Sequence, residues 1–192
     1  VLSSWDVLAN DPATGAEVAV IGGGSVGVET ALFIASKGTI SPEILHFLFV
    51  YGGEKEERLR DLVTRGTKKV TVFEMGPKPA ADMGRSTRWV LMKEAARYGV
   101  EVLAGAKVVS VSDGVVEFER DGRRSSRRFD TVIVSAGARP ERKLADEMEK
   151  TGIPFRVVGD CVAPGKIDGA IHGAFLAVME LEKERVGEAA RR

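Results

Sequence analysis

The chain has 192 residues, 44% hydrophobic and 29% charged, with 22 glycines: enough for one sizeable core, or for a large and a small lobe. Lys plus Arg and Asp plus Glu both number 28, so the basic excess of a nucleic-acid binder is missing. The single cysteine, Cys161, excludes a disulfide framework and any cluster or zinc site built from several cysteines of this chain. No apolar run reaches the ~18 residues that suggest a membrane span. Residues 1–10 lack the basic and apolar regions of a signal peptide, so a cytoplasmic, soluble protein is expected. The first residue is Val rather than Met, which points to a portion of something longer.

In chain order, Ser3 to Leu8 can open a short helix, and Asp11 to Gly15 reads as a turn. Glu17 to Ile21 is apolar and ends in three glycines, as a buried parallel strand does. Val28, Ala31, Leu32 and Ala35 then recur at helical spacing up to Gly38. Residues 38–68 are unusual: Ile44 to Tyr51 is apolar and aromatic, and Glu54 to Arg65 is an amphipathic helix with Leu59, Leu62 and Val63 on one stripe. Val70 to Glu74 is a second buried strand. Ser86 to Tyr98 is a helix with Leu91, Met92, Ala95 and Tyr98 inward.

From Val100 the period becomes two, with hairpin turns at Asp113-Gly114 and Asp121-Gly122. Thr131 to Val134 and Phe155 to Val158 are two more expected strands, separated by a charged helix near 141–151, and Ile171 to Leu181 marks a long terminal helix. Such alternation predicts an α/β fold, a Rossmann-like three-layer parallel sheet with an antiparallel β-meander insert at 107–129.

The chemistry lies in Gly22-Gly23-Gly24-Ser25-Val26-Gly27, a G-x-G-x-x-G turn. Gly22 permits the tight turn out of the strand, Gly24 lets a pyrophosphate approach the backbone, and Gly27 lets the helix pack on the sheet. The helix start offers unpaired amides and a positive dipole end to the phosphates. The second strand ends in Glu74, an acid placed to accept hydrogen bonds from ribose hydroxyls and to repel a 2′-phosphate, which favours NAD over NADP. Lys78 and Arg85 lie near enough in sequence to serve a 2′-phosphate, but a solvated surface explains them better. The acid normally follows the glycines by about 20 residues. Here Gly27 and Glu74 are 47 apart, so 38–68 is an insertion, either a contact surface, a flap or added core.

The stretches Val18 to Glu29, Val70 to Glu74, Val134 to Pro140 and Val157 to Cys161, with the hairpins between them, resemble the pyridine-nucleotide-disulfide oxidoreductase-like superfamily. Within it the chain is most similar to the C-terminal portion of the 2,4-dienoyl-CoA reductase, 2-enoate reductase and NADH:flavin oxidoreductase group. The insertion and Met75 to Pro79 carry that finer likeness. The resemblance implies an NAD(H)-binding domain set into an FAD-binding one. It assigns Gly22, Gly23, Gly24, Ser25, Val26, Gly27, Glu74 and Met75 to the dinucleotide, Glu29 to the nicotinamide end, and Ala136 and Gly137 to a turn beside it. Gly159 and Asp160 match the motif that touches the flavin.

The implied organisation is a linker at 1–15, the NAD(H) domain at 16–150, a segment of a split FAD domain at 151–186 and a tail at 187–192. No second glycine fingerprint precedes the first, so FAD belongs to the intact protein. The partners implied are the FAD- and FMN-binding portions, on the same or another chain, and a homo-oligomer stays open. The expected role is transfer of hydride from NADH to flavin in the service of enoyl or dienoyl reduction, with no catalytic residue and no metal on this chain. By itself, the chain is expected to be inactive. A rival reading is a structural domain that holds ADP without using NADH.

Tyr51 and Lys55 have the spacing of a short-chain dehydrogenase pair but precede the second strand. His46, His172 and Cys161 read as structural or solvent-facing, the arginines at 123–128 as a solvated turn, and Trp5 and Trp89 as core or interface anchors.

Overall fold

A computed structural model describes the backbone of residues 1–189 and side chains through Glu184. It divides into two compact units, 1–137 and 138–192, the break falling ahead of the 150/151 boundary read from the sequence.

The first unit is built on a parallel sheet of β1 (Leu2–Ser3), β2 (Glu17–Ile21), β3 (Lys69–Glu74), β4 (Glu101–Ala104) and β8 (Thr131–Val134), in the order β1-β8-β2-β3-β4. Val20 at its centre pairs with Val72 on one side and Ile133 on the other. Alternation decides what each face carries. Val18, Val20, Val70, Val72 and Ile133 point to one core, closed by Val28, Ala31, Ile34 and Ala35 of α2 (Ser25–Ala35), Ala95 of α5 (Arg85–Arg97) and Val7 of α1 (Ser4–Asn10). Ala19, Phe73, Leu103 and Val132 point to a second core.

That second core is covered by an antiparallel sheet of β5 (Lys107–Ser112), β6 (Val115–Arg120) and β7 (Arg123–Arg128). Val116 and Phe118 of β6 and the following Phe129 are buried against it, and the Phe73 ring lies 4.9 Å from Phe118 and 5.8 Å from Phe129. Both hairpins turn through two residues with positive φ, Asp113-Gly114 at 49° and 78° and Asp121-Gly122 at 53° and 72°, the conformation Asp-Gly pairs favour. The three-layer α/β architecture and the meander are therefore as the sequence implies.

The insertion forms two helices, α3 (Pro42–Val50) and α4 (Glu56–Thr64). Ser41 caps α3 and Pro42 starts it, a helix signal that the aromatic composition obscures. Leu59 anchors α4, whereas α3 has no buried residue.

The second unit holds α6 (Lys143–Glu149), a 3-10 turn at Gly159–Cys161 and α7 (Ile167–Ala189). Residues 155–158, expected as a strand, form none. Among the described residues this unit contains no other strand to hydrogen-bond with them. Helix α7 runs into the tail read from 187 onward, whose residues 190–192 lie outside the described ones.

Candidate nucleotide site

The sheet's connectivity locates the site. From β2 the chain moves outward through β3 and β4, then returns to β8 on the other side of β2. The carboxyl ends of β2 and β8 therefore flank the topological switch point, where ligands of open α/β sheets bind.

The glycine turn sits there, and three of its four glycines are forced by the protein itself. Gly22 has φ of 101°, donates its N–H to the Phe73 carbonyl at 2.9 Å, and has room for no Cβ because the Ser135 carbonyl would lie 2.3 Å from it. A Cβ on Gly23 would meet the Glu74 Cβ at 2.6 Å. On Gly27 it would meet the Gly22 carbonyl at 1.9 Å, so α2 packs on the turn only without a side chain there. Gly24 differs. Its φ of −63° suits any residue, and a Cβ would touch only the Asp82 carboxylate at 3.8 Å, an ordinary contact.

Glu74 ends β3 beside the turn, half-buried. Its Oε2 accepts the Gly23 N–H at 2.7 Å and its Oε1 the Gly76 N–H at 2.5 Å. The acid thus has a structural task, joining two loops, while each oxygen retains acceptor capacity. Met75 beside it is exposed, as is Glu29 on α2; Ser25 and Val26 are half-buried at the helix start. Ala136 and Gly137 follow β8 and are exposed, immediately after Ser135, whose N–H donates to the Ile21 carbonyl at 2.7 Å.

The turn, Glu74 and the 135–137 segment thus come together at one end of the sheet. Gly159 and Asp160 lie in the second unit, in the 3-10 turn, lining a cleft of about 450 Å³ with Val158, Gly165, Gly169 and Gly173; Asp160 accepts the Gly165 N–H at 3.1 Å.

Sequence reading missed Asp82. Its Oδ1 accepts the Ser25 N–H at 2.9 Å and its Oδ2 accepts from the Ser25 hydroxyl at 2.5 Å, capping α2 where Gly24 has no side chain to offer. The only signal was an acid eight residues beyond Glu74, in a segment that reads as a surface loop.

Most of the remaining candidates are exposed. Tyr51 and Lys55 are exposed on the insertion, the Tyr51 ring tilted by 42° against Phe47 with centroids 4.9 Å apart. His46, His172, Lys78 and Arg85 are exposed, as are the arginines of β7. Cys161 is half-buried, its thiol donating to the Val158 carbonyl at 2.9 Å. Trp5 and Trp89 are 67% and 61% exposed, so neither is a core anchor.

At the amino ends of the strands, Glu101 accepts from Arg127 at 2.7 Å and from Thr71 at 3.0 Å. Burial pushes its carboxyl up, but hydrogen bonds from Arg127 and Thr71 and the charges of Arg127 and Arg120 outweigh that and hold it below the usual carboxylate range. Among the described residues, no group of three His, Cys, Asp or Glu side chains is placed to hold a metal ion, and no helix is long and apolar enough to cross a membrane.

A parallel sheet with this turn at its switch point, an acid on the adjacent strand end and a meander across the other face defines a Rossmann-type domain of the nucleotide-binding class. Residues 4–163 match the family model of pyridine nucleotide-disulphide oxidoreductases, and the chain belongs to that family. It is 36% identical over 175 residues to a metal reductase of Desulforamulus reducens, covering 91% of this chain and 26% of the relative. It is 29% identical over 185 residues to an NADH oxidase of Thermoanaerobacter brockii, covering 94% and 24%. Among solved structures, a 2-naphthoyl-CoA reductase in complex with 2-naphthoyl-CoA shares the fold with a TM-score of 0.66 at 21% identity, over 89% of this chain and 22% of that one. The chain thus spans about a quarter of the length of these relatives.

Proposed function

We propose that this chain is the NAD(H)-binding portion of a flavin-dependent oxidoreductase, with the flavin held by FAD- or FMN-binding portions outside it. The observation that carries the reading is Gly24. Neither backbone conformation nor packing requires a glycine there, in contrast to Gly22, Gly23 and Gly27. A helix start without a side chain is what a pyrophosphate needs to reach the amides of Gly24, Ser25 and Val26.

Bound NADH supplies a hydride, and a flavin is its acceptor. This chain's own residues bind and orient. The start of α2 neutralises phosphate charge. Glu74 has acceptor capacity left for ribose hydroxyls, and its charge disfavours a 2′-phosphate. Glu29, Ala136 and Gly137 line the nicotinamide end, and Gly159 and Asp160 serve the flavin. Reduction of an enoyl or dienoyl substrate is the finer proposal, and it rests on the sequence resemblance.

The test is titration by calorimetry with NADH, NADPH and ADP, comparing the chain with Gly24→Ala. NADH binding well above NADPH, lost in Gly24→Ala while its melting temperature stays within about 2 °C, is expected. Gly27→Ala, by contrast, should destabilise the fold by about 1–3 kcal/mol, because backbone atoms must move. Equal NADH binding by wild type and Gly24→Ala would sink the assignment of the turn. ADP binding as tightly as NADH would favour a domain that merely holds a nucleotide. Glu74→Ala is a poorer probe, since it also leaves the Gly23 and Gly76 amides without their acceptor.

A further inference from the structure

The segment between β3 and α5, residues 75–84, lies against the glycine turn and is tied to it at three points. Gly76 donates to the Glu74 carboxylate that also holds Gly23. The Ala80 N–H donates to the Gly23 carbonyl at 2.6 Å, with Ala80 fully buried and held at φ of 49°. That left-handed conformation is costly for an L-residue and persists only when its surroundings fix it. The third tie is Asp82, two-pronged on the amide and hydroxyl of Ser25.

Ser25 is the first residue of α2, so its N–H has no partner within the helix. A carboxylate there is favoured by the same dipole and the same unpaired amides that favour a phosphate. One N–H hydrogen makes one strong hydrogen bond, with a linear approach. The Asp82 carboxylate and a dinucleotide phosphate therefore cannot both take it. Two anions crowded on the first turn of α2 would also repel each other. Asp82 is an exposed residue, within reach of a ligand arriving from water.

We infer that Asp82 is an internal competitor of the dinucleotide: its carboxylate takes the phosphate's place on Ser25, and nucleotide binding requires the 75–84 strap to release it. The inference rests on the dinucleotide reading above. It makes Asp82 a positioning residue that sets affinity and ties occupancy of the site to the conformation of a loop reaching from Glu74 to α5.

The experiment compares wild type, Asp82→Asn and Asp82→Ala in calorimetric titrations with ADP and with NADH, at about 0.1 and 0.5 M NaCl, with melting curves taken without nucleotide. Both variants should bind about 2- to 30-fold more tightly, the range a helix-terminal carboxylate commands. Asp82→Asn preserves shape and can still accept the Ser25 N–H, so it should gain less than Asp82→Ala. Without nucleotide, Asp82→Ala should melt about 1–8 °C lower, because α2 loses its cap.

Salt separates occupation of the amide from distant charge repulsion, since screening at 0.5 M shortens the electrostatic range to about 4 Å. A gain by Asp82→Ala that survives 0.5 M NaCl supports the competitor, and a gain that vanishes there overturns it. Unchanged or weaker nucleotide binding by Asp82→Ala, where wild type binds, overturns it and leaves the dinucleotide reading intact. No binding by any of the three chains overturns both.

Discussion

Residues 1–137 and 138–192 are parts of one chain with opposite relations to water. In the first unit two cores close on either face of the parallel sheet, and Phe73, Ile34 and Ile133 are almost wholly buried. In the second, Ala145 is the only buried hydrophobic among the described side chains. Along α7, Ile167, Ile171, Phe175 and Val178 form an exposed stripe, and Leu176, Met179 and Leu181 are exposed as well. A helix apolar on so many sides has the surface of one buried in a larger body. Family membership across 4–163 therefore does not make the chain uniformly self-supporting. The sheet of the first unit has partners on both of its apolar faces, although α3 of the same unit leaves Phe47 and Phe49 exposed. The second displays faces that, on our functional reading, the flavin-binding portion covers.

Limited proteolysis of the full chain is the strongest way to break this contrast. Local opening free energies near zero are expected in 138–189, and values approaching the global stability in the sheet. Cleavage should therefore be about tenfold or more faster beyond Gly137, leaving a resistant fragment that mass spectrometry places near 1–137. Fragments arising at equal rates from both units would refute the contrast.

A pair of phenylalanine truncations sharpens it. Phe73 is 1% exposed and touches two rings, whereas Phe175 is 60% exposed. By urea denaturation, Phe73→Ala should cost about 3–5 kcal/mol. Phe175→Ala should stay within about 0.5 kcal/mol. A large loss at Phe175 would mean that α7 is packed in solution, by self-association or otherwise, and a dilution series would tell which.

The same contrast governs what could be read from the sequence. Where an element carries its own periodicity or turn chemistry, it was legible: the strands at 17–21, 70–74 and 131–134, the Asp-Gly hairpins and the inward face of α5 follow from local pattern. Where the outcome depends on distant partners, it was not. Phe155 to Val158 reads as a strand, yet among the described residues the second unit contains no strand to pair with it. Leu2 and Ser3, by contrast, form a strand because β8 lies beside them, a pairing across 131 positions that local pattern cannot reveal. At the candidate site, the glycines and Glu74 carry a local signature. The contact of Asp82 with Ser25 spans 57 residues, and the exposed aromatic run of α3 masked a helix that its Ser41-Pro42 start announces.

The smallest expected effect concerns the polar stitching of the first unit. Glu101 of β4 accepts from Thr71 of β3 and from Arg127 of β7, so one carboxylate ties the parallel sheet to the meander. Its pKa is lowered in the folded state, chiefly by Arg127 and Thr71 acting against burial. A lowered folded pKa means that the stabilisation is fully present above the unfolded value of about 4.3 and is lost as pH falls through the folded value. Both side chains are nearly half exposed, so solvent screening limits the contribution to about 1 kcal/mol or less. Stability measured by urea denaturation from pH 6 down to 3 should therefore fall slightly more steeply in wild type than in Glu101→Gln, which cannot protonate. Arg127→Ala should likewise reduce the slope. Identical slopes in all three chains would mean that the hydrogen bonds are matched by water in solution and that apolar contacts, Phe73 with Phe118 and Phe129 foremost, hold the two sheets together without them.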